Sequence, residues 1–380
     1  MRRILGRRRS YVLIGCGPLL ISLQAVGAGF ELPSKGIKEM GIAYSGSAAL
    51  LEDASAVAHN PAGLLRLQGR QVSGGLTIIR SGFDYEAEAH REMIESIGGQ
   101  VPGEGEGSIS ASSVAPHLYY SHTLSEAAAV GFGIYVPFAS TTDYGDEWVG
   151  RYHATETEIT TINLNPALAV RITDTLGVGI GGVAQYFDGR FQNKIDLGYL
   201  VADELIAQLH DAPLVSPNEA AIVDSLAHQF DVDNDMSVDS WAYGFNLGLL
   251  WEPSQATRIG FNYQSRVRHV ADGQAKRPQT LDEEFRQRLE DAIDDNMPGL
   301  ASIFDPNAAA NGANRAVGPL GAAGGDIRLV TDMPEIVTLS VYQALGQNLA
   351  LVGGSPIRGG AALASCGLPT STRPNGAGAT

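Results

Sequence analysis

Few residues in this chain have the types and spacing that chemistry needs, and those few point away from catalysis. Asp231, Asp233 and Asp235 carry the alternating carboxylates of a calcium loop. However, Met236 stands where the sharp-turn glycine belongs, and Ala242 where a bidentate glutamate would complete the shell. Loose calcium binding on an outer loop is all that such a set offers. The run Gly177-Val178-Gly179-Ile180-Gly181-Gly182 satisfies G-x-G-x-x-G, but it lies inside an alternating strand pattern with no helix after it, so no dinucleotide site is expected. The eight histidines show no H-E-x-x-H spacing, and no G-x-S-x-G elbow exists. Arginines are more promising. Arg171, Arg258, Arg266 and Arg268 fall on polar strand faces, where a guanidinium fork would suit a carboxylate. Arg266 and Arg268 fit better as strand-end side chains that snorkel to headgroups or phosphates, and for Arg171 both readings stay open. Neither a metal nor a cofactor is expected.

The elements that must position these side chains are strands. Across residues 240–252, Trp241, Tyr243, Phe245, Leu247, Leu249 and Trp251 share one face, opposite Ala242, Gly244, Asn246, Gly248 and Glu252, with Leu250 as the exception. Apolar outside and small or polar inside, at a period of two, is the pattern of a transmembrane β-barrel strand. Trp241 and Trp251 sit where two interfacial girdles would lie. In water the same face would need a second covering sheet, which is the β-sandwich alternative. Further strands are expected over 71–86, 114–122, 129–138, 160–172, 176–188, 258–268 and 333–342, with a ninth beginning at 348–353. Short turns near 124–127, 173–175, 252–256 and 344–347 alternate with long connections at 87–113, 140–156, 191–239 and 273–327. Short inner turns against long outer loops are a second barrel signature. The two longest loops carry helical patterning at 200–209, 219–230 and 281–303.

Composition agrees. Residues 1–9 hold five arginines and 11–23 are largely apolar, which reads as a secretory leader cleaved after Gly27 or Ala28. Leu13-Ile14-Gly15-Cys16 also resembles a lipoprotein box, which would place a lipid on Cys16. Removing the five leader arginines takes the net charge from −16 to about −21, which argues against nucleic-acid partners. The only cysteines are Cys16 and Cys366, so no disulfide is expected in the folded body. After the leader no run of eighteen apolar residues occurs, so only a closed barrel could span a membrane.

Residues 41–64 are rich in small side chains and build no core of their own, so they need a container. Ala43-Tyr44-Ser45-Gly46, Asp53-Ala54 and Asn60-Pro61-Ala62 resemble the N-terminal hatch of the FadL/TodX family of outer-membrane channels for hydrophobic compounds. The likeness continues through Pro116-His117-Leu118-Tyr119, Val136-Pro137-Phe138, Thr161-Ile162-Asn163-Leu164-Asn165, Gly244-Phe245-Asn246-Leu247-Gly248 and Met333-Pro334-Glu335. It implies an all-β antiparallel transmembrane barrel, fourteen-stranded in the family, of which eight to nine strands are present here. The implied divisions are a leader at 1–28, a hatch at 29–67, strands at 68–353 and an aberrant tail at 354–380. It further implies a Gram-negative outer-membrane location, assembly by the barrel-assembly machinery, contact with lipopolysaccharide, and a monomer if complete.

The implied function is passive uptake of long-chain fatty acids or aromatic hydrocarbons. Ligand would pass from a groove between the long loops to a pocket at the hatch, against Phe30, and then leave sideways where the third strand kinks. Pro137, beside Phe138, lacks the N–H that ladder pairing needs, so it marks either that kink or simply the strand's outer end. Arg171 and Arg258 are the candidate carboxylate partners. A membrane phospholipase using His117 and Ser121, which share a strand face, is the alternative from another class. After Gly353 the pattern fails: 354–380 has no aromatic and no acid but three prolines. A C-terminally truncated or frameshifted chain, and hence a non-functional fragment, is therefore also expected. An eight-stranded closure would leave no room for a hatch.

Overall fold

The computed structural model describes residues 10–12, 31–32, 35–87, 101–210, 226–276, 324–346, 349–358 and 365–367, with isolated positions 287, 291 and 295. Its main body is a curled antiparallel sheet. The strands are β1 (Arg70–Glu86), β2 (Glu106–Ser125), β3 (Ala128–Tyr135), β4 (Ala139–Asp143), β5 (Glu156–Thr173), β6 (Leu176–Asp196), β7 (Asp231–Ser254), β8 (Thr257–Gln264), β9 (Val267–Lys276), β10 (Gly324–Met333), β11 (Ile336–Ala344) and β12 (Leu349–Arg358). Nine of them follow one another in the order β12-β11-β8-β7-β6-β5-β3-β2-β1, while β4 pairs β5, and β9 bridges β7 to β10. Three-residue strands at Ser10–Val12 and Ser365–Gly367 join β12 and β10.

The wall is inverted relative to a water-soluble sheet. Val72, Leu76, Ile78, Leu118, Leu168, Ile180 and the whole row from Trp241 to Trp251 expected on β7 are exposed, while Asn163, Asn165, Gln185, Asn246, Asn262 and His269 are buried on the inner face. An apolar outside with a polar inside is stable only against lipid. No covering second sheet occurs among the described residues.

Several strands run well beyond the apolar alternation. β2 begins at Glu106, β6 continues to Asp196 and β7 starts at Asp231. Their outer halves carry polar side chains on both faces, with Lys194 opposite Asp233 on one and Asn193 opposite Asn234 on the other. Past the bilayer, water bathes both sides and the period-two signal disappears although the ladder continues. Pairing on β12 likewise extends to Arg358, opposite Ile336. The helix expected in 200–209 is α-helical over Leu197–His210. The patterning at 219–230 is described only from residue 226, and that at 281–303 lies outside the described residues except for three positions.

Inside the curl sits the N-terminal segment: α1 (Ile37–Gly41), α2 (Ser47–Leu50), α3 (Ala56–His59) and a 3-10 turn, Pro61–Arg66. The core forms between it and the wall, where Leu51, Val57 and Leu64 join Tyr119, Tyr135 and Leu250 in one buried cluster. Leu250, the apparent exception on β7, faces inward because the hatch supplies its apolar partner.

Candidate functional site: the hatch, its cavity and the interrupted wall

The hatch has little apolar bulk, so polar contacts fix its position. Asn60 is its hub. Its side chain accepts from Ala62 N (3.1 Å) and donates to Ala48 O (2.8 Å) and, on the wall, to Leu249 O (2.9 Å). Pro61 opens the 3-10 turn, whose first N–H has no partner to lose. Asn246 and Gln264 reach from the wall to Val57 O and Ala58 O, each at 3.0 Å. Ser45 approaches Val352 O at 3.5 Å, and Gly46 turns with φ +75 against Val352. Asp53 accepts from Ser55 N at 2.9 Å and pairs with Lys38 at 3.5 Å. Ala43, Tyr44 and Leu51 hold left-handed backbone, strain that persists because the wall over-determines the segment.

The G-x-G-x-x-G run finds its explanation here. A Cβ on Gly179 would overlap the Ala62 amide, and one on Gly260 would overlap Ala48 O. The glycines let the hatch backbone lie directly on the wall.

Both expected carboxylate partners are engaged by the hatch. Arg258 is buried, donates to Leu50 O at 3.0 Å and lies 3.6 Å over the Tyr342 ring. Arg171 donates to Leu65 O and Glu126 O at 3.4 and 3.3 Å. Neither lines the cavity described below. For Arg266 and Arg268 only the lumen-facing placement is corrected: both are exposed on the outer face, and Arg266 pairs with Glu335 at 3.9 Å. A break at 265–266 shifts the alternation by one residue, which reverses the faces beyond it. Trp241 and Trp251 lie on the outer face, and Phe30 lies outside the described residues.

Between hatch and wall lies a cavity of about 190 Å³, lined among others by Glu31, Lys35, Tyr44, His59, Asn262 and Arg358. Its lining sets ionic side chains among apolar ones such as Leu32 and Ile336. The Glu31 carboxylate is held by Lys35 at 3.3 Å on one oxygen and by Arg358 on the other. Burial alone would raise its pKa, but Lys35 and Arg358 keep it below the ordinary value. Among the described residues, His59 Nε2 and Asn262 Oδ1 are buried without a hydrogen-bond partner. Behind the cavity Glu39, almost fully buried, stands 3.8 Å from His59 Nε2. Burial pushes Glu39 up to about 7, with Asp53 adding to it, and pushes His59 down to about 3, with Lys35 adding to that. Sequence reasoning passed over Glu31, Lys35, Glu39 and His59, because no spacing links residues that the fold alone brings together.

At the outer side of the cavity the third strand course is interrupted. β3 pairs β5 as far as Tyr135 opposite Asn163, and β4 resumes on the same neighbour at Ala139 opposite Thr160. Between them Leu32 N donates to Pro137 O at 2.9 Å, and Glu31 bridges Phe138. Phe138 is buried, and its N–H donates to Thr161 Oγ1 at 3.2 Å. Among the described residues, β2 ladders with β3 only from His117 to Ser125, so above His117 it pairs with β1 alone.

Two enzyme-like features dissolve in the fold. His117 and Ser121 are both buried on the inner face, not on an outer rim, so the phospholipase alternative has no support. Asp231, Asp233 and Asp235 are taken separately by Arg151 (2.7 Å), Lys194 (2.8 Å) and Arg190 (3.0 Å). Among the described residues no cluster of three or more metal-binding side chains occurs.

Comparison with known proteins agrees with this geometry. The family described as outer membrane protein transport protein (OMPP1/FadL/TodX) matches residues 18–355. A protein described as an outer membrane protein of Neisseria meningitidis serogroup B is 29% identical over 269 residues, 71% of this chain and 55% of its own length. The long-chain fatty acid transport protein of Escherichia coli O6:H1 is 29% identical over 259 residues, 68% of this chain and 54% of its own. The chain thus spans about half the length of the curated relatives it matches. The crystal structure of a Pseudomonas aeruginosa FadL homologue superposes with a TM-score of 0.61 at 21% identity, covering 84% of this chain and 67% of that one. At that identity the match speaks for the fold.

Proposed function

Because this chain belongs to the OMPP1/FadL/TodX family of outer membrane transport proteins, we propose that it takes up hydrophobic compounds, and that these are long-chain carboxylic acids. The observation that carries the reading is the Glu31 carboxylate seated between Lys35 and Arg358 at the edge of the hatch cavity. A ligand carboxylate has the same chemistry and would compete for the same cations. In its Nε2–H tautomer His59 would donate to that carboxylate. An aromatic hydrocarbon would leave this donor unsatisfied, at a cost of about 1–3 kcal/mol.

Ligand enters from the outer loops, rests in the cavity and leaves through the wall where β3 and β4 part at Pro137 and Phe138. An alkyl chain gains about 0.8 kcal/mol per methylene by entering lipid rather than water. That makes a sideways exit downhill. Insertion by the barrel-assembly machinery and lipopolysaccharide contact belong to the same proposal. The test is uptake of labelled oleate and of toluene in a strain lacking its own transporter, with wild type and Lys35→Met. Oleate uptake that Lys35→Met lowers about tenfold at limiting ligand is expected. Toluene uptake without oleate uptake would overturn the substrate class, and uptake of neither would overturn transport by this chain.

A further inference from the structure

The wall is interrupted a second time, at a break that adjoins the same small cavity as Pro137. β8 and β9 are two halves of one strand course parted at Ser265-Arg266, and their neighbours β11 and β10 are parted at Pro334-Glu335. The β8·β11 pairing stops at Gln264 opposite Ile336, and the β9·β10 pairing starts at Val267 opposite Met333. Pro334 lies in the intervening step and has no N–H to give it. On the other flank β7 pairs β8 up to Asn246 opposite Gln264 and pairs β9 again only from Asp239 opposite Asp272. Six residues of β7, 240–245, therefore face seven, 265–271, with no ladder between them. Two local contacts span the gap: at one end Ser265 N donates to Phe245 O at 2.8 Å and Ser265 Oγ accepts from Phe245 N at 2.9 Å, and at the other Ser240 Oγ hydrogen-bonds His269 Nδ1 at 2.9 Å.

A small cavity lies at this place. It is lined by inward-facing Gln185, Val267 and Met333, by Phe138 and Pro137 from the first interruption, and by Phe245, whose side chain is 44% exposed on the lipid face. One space therefore touches both wall breaks and a lipid-facing residue. Val267, Met333 and Phe138 belong to one apolar cluster, which suits an alkyl chain and repels its headgroup.

We infer that the stretch between β7 and β9 at Phe245, Ser265 and Val267 is a second lateral opening, through which the alkyl tail of a lipophilic ligand passes from lumen to bilayer. This rests on the transport reading above. An apolar tail needs no ladder hydrogen bonds replaced, only side chains that move apart. Across 241–244 the ladder bonds that would resist are already missing and the Ser265–Phe245 contact is what must give way, whereas elsewhere on β7 a full ladder must break.

The test uses outer-membrane vesicles carrying the chain with Cys366→Ser and a fatty acid bearing a diazirine on its tail, with labelled residues mapped by mass spectrometry. Gly244→Cys with Val267→Cys supplies a staple, since a Cβ on Gly244 would contact the Val267 side chain. Reduced, the tail should label the 243–245 and 265–267 segments. Oxidised, that labelling should fall at least fivefold, return on reduction, and leave labelling at the hatch cavity unchanged. Recovery on reduction separates closure from misfolding, and Pro334→Ala, which restores an N–H, should lower the same labelling without a staple. Labelling at the hatch but never at 243–245 or 265–267, or labelling indifferent to oxidation, would overturn the second opening alone. Labelling at neither place would overturn it together with the transport reading.

Discussion

Asn60 is the position whose loss should release the hatch while leaving the wall intact. In Asn60→Ala the Ala62 amide and the Ala48 and Leu249 carbonyls each lose a buried partner. At about 1 kcal/mol per hydrogen bond the change costs about 3 kcal/mol, before any cavity contribution. Two of the three bonds tie hatch residues to one another and one ties hatch to wall, so the cost falls on the closed hatch. Since about 1.4 kcal/mol is tenfold in an equilibrium, the opening constant should rise about a hundredfold. Native-state hydrogen exchange reads this directly. Protection at the Ala49, Leu50 and Gly63 amides, all bonded within the hatch, should drop by about that factor while β6 and β7 amides keep theirs. Asn60→Asp should be at least as damaging, because it keeps only the acceptor role and adds a charge facing two carbonyls. Hatch protection within about threefold of wild type, or an equal loss across β6 and β7, would refute the hub argument.

Gly179→Ala should produce a chain whose wall still migrates as a heat-modifiable barrel form but whose hatch is cut by protease, because the added Cβ collides with backbone at Ala62 that cannot rotate away. Protease resistance equal to wild type would sink that account. Hatch stability should also depend on pH in a compensated way. Glu39, raised from 4.5 to about 7, favours folding at low pH and loses that contribution as pH rises through 7. His59, lowered from 6.5 to about 3, favours folding above 6.5 and loses its contribution as pH falls through 3. Between about 4.5 and 6.5 each state of the pair binds one proton, so wild type should be flat there, with Lys35, Lys38, Asp53 and His117 as the surrounding charges. His59→Gln should unmask a loss of about 3 kcal/mol as pH rises from 4.5 to 7, measured by proteolysis of the hatch against pH. A flat profile in that variant would show that Glu39 does not ionise in this range.

By itself the sequence determined the inside–outside order of the wall. A period of two in apolar side chains is a local property, and the row from Trp241 to Trp251 states which face meets lipid without reference to any other strand. The turn at Asn60-Pro61-Ala62 was legible for a similar reason, since an Asn cap followed by Pro is a turn chemistry that survives in one dimension. Tertiary structure alone decided how far the strands run, because beyond the bilayer β2, β6 and β7 have water on both faces and no pattern to read. It alone turned Arg266 and Arg268 outward, since one extra residue at Ser265-Arg266 reverses every face after it. It alone gathered Glu31, Lys35, His59 and Arg358 around one cavity. Those four come from the N-terminal segment and the twelfth strand, and only a wall curled around a hatch brings them within reach of each other.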